Sequence, residues 1–188
     1  KTPTAIEIFA GGGTLVKALS DAGIKTVAAV ELEDKYLQNL EANNPNVTTY
    51  CGDLAKLDIS MLPKADMVVA GIPCEGYSQA QTKKTEKFEA HPTGSLGFYV
   101  LKIIDAIRPA VVLIEEVPNF KSSAMASMTR YVLDSMGYHI SETELVGSDY
   151  GSLTKRKRYC MVASIKKGFE FDDSLKKINT RTVRDILE

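Results

Sequence analysis

Cys74 is the side chain best placed for covalent chemistry. It lies in Gly71-Ile72-Pro73-Cys74-Glu75-Gly76-Tyr77-Ser78, held by a preceding proline and set between glycines, directly after the apolar run Asp66 to Ala70. A thiol on an exposed loop at the carboxyl end of a strand is a good nucleophile, even with only a small fraction as thiolate near neutral pH. Cys51 and Cys160 adjoin strand-like segments and read as buried, inert thiols. Glu115 and Glu116 close a second apolar run, Ala110 to Ile114. At a strand's carboxyl end, beside a nucleophile, one of two such carboxylates can donate a proton if its pKa is raised. Lys155 to Arg158 are four consecutive basic residues leading into Tyr159 to Ile165. If that segment is already extended, alternation puts Arg156 and Arg158 on one face, where two guanidinium groups can grip a carbonyl or a phosphate.

A second constellation lies nearer the N-terminus. Ile6-Glu7-Ile8-Phe9-Ala10-Gly11-Gly12-Gly13 joins a β-prone run to a helix-prone one. Glycines at such a turn let backbone N–H groups approach a ligand, and the helix that follows offers its positive end to an anion. A triple glycine alone marks only a tight turn. Glu31, closing the next strand-like run, adds a carboxylate of the kind that binds the two hydroxyls of a ribose, and Asp53 adds another at the third. Together they describe a nucleoside-binding edge. No Walker lysine follows the glycines, which disfavours ATP or GTP hydrolysis.

Both constellations must stand at one edge of one scaffold. Strand-like runs at Ala5 to Phe9, Thr26 to Val30, Val47 to Tyr50, Asp66 to Ala70 and Ala110 to Ile114 alternate with helical patterns at Thr14 to Ala22, Asp34 to Asn43 and Ser95 to Ile107. Asp34 is the expected N-cap of the second helix and Gly23 the C-cap of the first. Met125, Met128, Val132, Leu133 and Met136 fall at helical spacing and read as core packing. Tyr138 to Leu145 and Tyr159 to Ile165 are late strands, and Thr182 to Leu187 a last short helix. Such alternation predicts an α/β fold, a doubly wound and mostly parallel sheet, whose ligands bind beyond the carboxyl ends of the strands. The polar stretch Gln79 to Pro92 reads as a long, functional loop.

Composition sets the outer limits. The chain has 188 residues, matching one domain at roughly 100–200 residues each. A net charge of −1 excludes a broadly basic nucleic-acid coat, though not an enzyme that keeps its positive charge local. Three cysteines without CxxC spacing, and isolated His91 and His139, predict no metal site, no disulfide framework and a reducing, intracellular compartment. No apolar run approaches bilayer length, and no secretory signal pattern opens the chain, which begins at Lys1.

The order of these motifs resembles the DNA cytosine-5 methyltransferases. Phe9 to Gly13 is similar to that family's cofactor loop, Gly71 to Ser78 to its Pro-Cys motif, Glu115-Glu116-Val117 to its Glu-Asn-Val motif, and Thr154 to Arg158 to its Gln-x-Arg-x-Arg motif, with Asp149-Tyr150-Gly151 before it. The resemblance covers nearly the whole chain. It implies a Rossmann-like fold that binds S-adenosyl-L-methionine and transfers its methyl group to carbon 5 of a cytosine flipped out of double-stranded DNA. It further implies that Cys74 attacks carbon 6, Glu115 protonates and holds ring nitrogen 3, and Arg158 binds the exocyclic oxygen, with Arg156 beside it. For the cofactor it implies Phe9 near the adenine, Glu31 on the ribose and Asp53 on the adenine amino group. Ala10, Gly11, Gly13, Leu32, Leu54 and Pro73 complete that set. Lys83, Lys84 and Lys87 would approach phosphate from the loop at 78–92.

The chain departs from the family pattern at Glu7 for Asp, Leu32 for an aromatic, Glu75 for Gln, Glu116 for Asn and Thr154 for Gln. The family's target-recognition region and final motifs have no counterpart here, and Thr182 to Leu187 resembles the segment preceding them. Residues 1–188 therefore read as a catalytic domain without target recognition, which a C-terminal segment or a second subunit would supply. The alternatives are a binding or regulatory module that has lost catalysis, and a cytosine-5 methyltransferase acting on tRNA. For a bacterial or phage protein the expected location is the cytoplasm.

Overall fold

The computed structural model describes residues 1–73 and 95–176. The loop from Gln79 to Pro92, the helix expected over Thr182 to Leu187, and Cys74 itself lie outside the described residues. Among the described residues seven strands form one sheet in the order β3-β2-β1-β4-β5-β7-β6. They are β1 (Thr4–Ile8), β2 (Lys25–Glu31), β3 (Thr48–Cys51), β4 (Met67–Gly71), β5 (Val111–Glu116), β6 (His139–Val146) and β7 (Lys157–Ser164). The first five run parallel, whereas β7 pairs antiparallel with both β5 and β6. Strand order reverses at β1, with β2 on one side and β4 on the other. Ligands of open α/β sheets settle at that switch point, outside the carboxyl ends.

The sequence explains most of these elements. Val68, Val69 and Ala70 of β4 are fully buried, as a strand covered on both faces requires. Helix α1 (Thr14–Asp21) ends in a left-handed Gly23, with Ile24 N–H closing on the Leu19 carbonyl at 2.9 Å and Gly23 N–H on that of Ser20 at 3.0 Å. Gly23 thus follows the C-cap, Ala22, rather than being it. Helix α2 (Asp34–Asn43) starts at the expected cap itself: Glu33 is the extended N-cap residue, and Asp34 instead accepts a hydrogen bond from Gln38 within the first turn. Helix α3 (Leu96–Ile107) buries Val100, Ile103, Ile104 and Ile107 against the sheet. Helix α4 (Ala124–Ser135) is capped by the Ser123 hydroxyl and buries Met125 and Leu133, but Met128 is 41% exposed, so the methionine stripe is only partly core.

Cys51 corrects the sequence reading. It is exposed, because β3 is a short strand at the edge of the sheet among the described residues, whereas Cys160 is buried as expected and its thiol is pushed up to about 11 by burial. The basic run is also extended for only part of its length. Strand β7 begins at Lys157, and Arg156 precedes it, exposed, with its carbonyl accepting from Gly147 N–H at 2.9 Å.

Candidate active site

A cavity of about 450 Å³ opens at the switch point. Six of the nine cofactor residues read from the sequence line it: Phe9, Glu31, Leu32, Asp53, Leu54 and Pro73. The remaining three do not line it but hold the loop that leads from β1 to α1. Ala10 is buried and donates its N–H to the Val30 carbonyl at 3.0 Å. Gly11 donates its N–H to Glu31 Oε2 at 2.7 Å. Gly13 has a φ of 88° at the N-cap of α1, and a Cβ there would meet Leu40 at 3.1 Å, so only glycine suits both its backbone and its space.

Glu31 is the hub of this edge. Its other oxygen, Oε1, accepts from Leu32 N–H at 2.9 Å and Glu33 N–H at 3.1 Å. One carboxylate thereby ties the glycine loop after β1 to the turn after β2. Asp53 is also held, its Oδ1 accepting from Ala55 N–H at 2.9 Å. Phe9 has a φ of 61°, a left-handed conformation uncommon for a bulky residue. Backbone strain of that kind clusters at ligand clamps, and nothing in the sequence signalled it.

Glu7, beneath the loop, is buried and leaves Oε2 without a partner. Burial pushes its carboxyl up to about 8, opposed by a hydrogen bond from the Val16 backbone and reinforced by the Glu31 charge. Glycine at the N-cap brings no side chain, so a strand residue serves the first turn of α1 instead.

The other candidate groups meet at the adjoining strand ends. Glu115 pairs with Gly71 across β4–β5 and with Cys160 across β5–β7. Arg158, two residues from Cys160 on the same face, reaches diagonally to Glu115, with Nε 2.6 Å from Oε1. Arg158 Nη1 also donates to the Lys157 carbonyl at 2.8 Å. A Cβ on Gly71 would stand 3.6 Å from Glu115 Oε2, so this carboxylate faces the segment Gly71-Ile72-Pro73 that leads to Cys74. Burial raises the Glu115 carboxyl above its ordinary value, against the opposing charge and hydrogen bond of Arg158. Glu116, on the opposite face of β5, is buried with Oε1 unpartnered. Burial is the main cause that pushes it up to about 7, with the Val117 N–H bond opposing and the Glu115 charge adding.

The structure thus brings Glu115 and Arg158 together beside the cavity that carries Pro73, and leaves Arg156 in the turn outside. A model of the C-5 cytosine-specific DNA methylases matches residues 4–188. The chain belongs to that family. Family members use S-adenosyl-L-methionine as methyl donor, and the Rossmann-like sheet is their fold. Among curated relatives, the type II methyltransferase M.DsaV of Dactylococcopsis salina is 30% identical over 97% of this chain and 52% of its own length. M.MspI of a Moraxella species is 28% identical over 97% of this chain and 44% of its own. The chain spans about half the length of these relatives. Solved structures similar in fold include the Entamoeba histolytica methyltransferase EhMeth, with a TM-score of 0.75 at 18% identity over 97% of this chain and 57% of its own. The Schizosaccharomyces pombe Dnmt2 methyltransferase has a TM-score of 0.73 at 19% identity over 90% of this chain and 53% of its own.

The methylase cavity also includes residues that the sequence did not single out. Glu33, Lys35 and Tyr36 enter it from the first turn of α2, Gly52 from the β3 end, and Leu96 from the start of α3. The wrapping of α2 over the β2 end is what brings Glu33, Lys35 and Tyr36 there. Among the described residues no cluster of three or more His, Cys, Asp or Glu could hold a metal, and no helix is long and apolar enough to cross a membrane.

Proposed function

We propose that this chain is the catalytic portion of an enzyme that methylates carbon 5 of cytosine in double-stranded DNA through a covalent adduct with Cys74. The observation that carries the reading is the Glu115–Arg158 pair, 2.6 Å apart beside Gly71, at the same sheet edge as the nucleoside-sized cavity. The residues around that cavity fit S-adenosyl-L-methionine. Glu31 offers a carboxylate to a ribose diol, Asp53 one to an exocyclic amine, and Phe9 an aromatic surface to a purine. When bound, the cofactor would supply an electrophilic methyl group, the sulfonium–methyl bond breaking as S-adenosylhomocysteine leaves with its electron pair.

The chain's own residues do the rest. The Cys74 thiolate forms a bond to carbon 6 of a flipped cytosine, which sends an electron pair into the ring and makes carbon 5 nucleophilic. Glu115 holds ring nitrogen 3 with a proton, which a carboxyl raised by burial retains better than an ordinary one. Arg158 holds the exocyclic oxygen, and its fixed charge stabilises the negative charge that attack develops. After carbon 5 is methylated, its proton leaves to solvent and the Cys74–carbon 6 bond breaks, restoring the ring and the thiolate. Target recognition lies with a C-terminal segment or partner subunit. Duplex DNA containing 5-fluorocytosine has no proton to lose at carbon 5, so it traps the adduct. With cofactor and the intact protein, a covalent complex is expected by denaturing electrophoresis, and Cys74→Ser should abolish it. An undiminished adduct in that variant would refute the assignment. Trapping by tRNA in place of DNA would redirect the substrate.

A further inference from the structure

Phe9 is the only aromatic group that the sequence reading placed at the base end of the cavity. Leu32 follows Glu31 and is 59% exposed, a small apolar surface for a planar base. Tyr36 lines the same cavity from α2 and is 46% exposed, although the helix has ample polar surface to present instead. A large ring left half open beside a cavity is apolar area that gains from a planar partner.

Several contacts fix where that ring stands. Tyr36 N–H bonds the Glu33 carbonyl at 3.0 Å, and Glu33 N–H bonds Glu31 Oε1 at 3.1 Å. The carboxylate assigned to the ribose therefore also sets the first turn of α2. Lys35 Nζ lies 4.8 Å from the Tyr36 ring centroid and 3.8 Å from Glu33 Oε2. A cation held against an aromatic face orients the ring and polarises it.

We propose that Tyr36 is a second aromatic wall for the adenine of the cofactor, supplying with Phe9 the stacking surface that Leu32 does not. The inference rests on the nucleoside reading of the cavity and extends it to a residue outside the family motifs found in the sequence. It makes base affinity depend on the first turn of α2.

Isothermal titration of the intact protein with S-adenosylhomocysteine, and with adenosine, tests it. Tyr36→Ala should weaken both ligands by about tenfold, within the range for loss of one base–aromatic stack. Tyr36→Phe should bind within about twofold of wild type, because the ring rather than the hydroxyl acts. Unchanged affinity in Tyr36→Ala would overturn the inference while leaving the cofactor reading intact. Equal losses in the Ala and Phe variants, or a loss confined to S-adenosylhomocysteine, would also overturn it. If wild type bound neither ligand, the cofactor reading itself would fall.

Discussion

Among the described residues, two arginine–glutamate pairs join elements in the second half of the sheet, and they differ in what surrounds them. Arg130 of α4 holds Glu142 of β6 at 2.8 Å and donates to the Lys121 carbonyl at 2.6 Å, while Glu142 also accepts the Tyr159 hydroxyl. The Tyr159 ring is fully buried, 5.8 Å from Phe120. Each member of this cluster has a protein partner, and the cluster ties α4, β6 and β7 together. Arg158 and Glu115 form a similar pair one strand position away, yet Glu115 faces Gly71 and the route to Cys74. Each guanidinium commits two of its five N–H donors to a carboxylate and a carbonyl, so the difference lies in the carboxylates: Glu142 also holds a buried tyrosine hydroxyl, whereas Glu115 faces a strand end. The same two residue types thus serve as a scaffold joint in one place and as a charged pair at a strand end in the other. Setting decides which.

The largest effect that would sharpen this contrast is on turnover. Glu115→Gln and Arg158→Lys should each reduce methyl transfer by about a hundredfold or more, as loss of a positioned acid or charge does. Their melting temperatures should move by less than about 2 °C, since partly exposed pairs add little stability. If melting temperature and turnover collapsed together, both pairs would be scaffold and the contrast would break.

Arg130→Met should do the reverse. Removing one partner of the interlocked cluster should cost about 1–2 kcal/mol, tempered by partial solvent exposure, and lower the melting temperature by about 3–6 °C. Turnover per folded molecule should stay within about twofold. Circular dichroism melts and single-turnover assays on the same samples measure both.

The last effect concerns pH. Glu7 and Glu116 are pushed up to about 8 and about 7 in the fold from an ordinary 4.5. Between those limits the folded chain binds more protons than the unfolded one, so stability falls as pH rises. Their contribution is complete below about pH 4.5 and lost as pH passes through 7 to 8. The melting temperature should drop by several degrees from pH 5.5 to pH 8.5, and Glu7→Gln should flatten that slope. An identical slope in the variant would show that Glu7 ionises in the fold as freely as in the unfolded chain.

What the sequence determined by itself was local. Apolar runs bounded by turn residues marked β1 to β7 to within one or two residues at most ends, and glycines and carboxylates at strand ends marked the cavity, because burial periodicity and turn chemistry are written along the chain. The tertiary structure alone decided which arginine meets Glu115, since that follows from the antiparallel register of β5 on β7. It alone exposed Cys51, through the position of β3 at the sheet edge, and turned Phe9 into the left-handed region. It alone carried Lys35 and Tyr36 into the cavity. Each of these depends on which segments pack side by side. That choice is made by the free energy of burying the whole core, and no short stretch of residues encodes it.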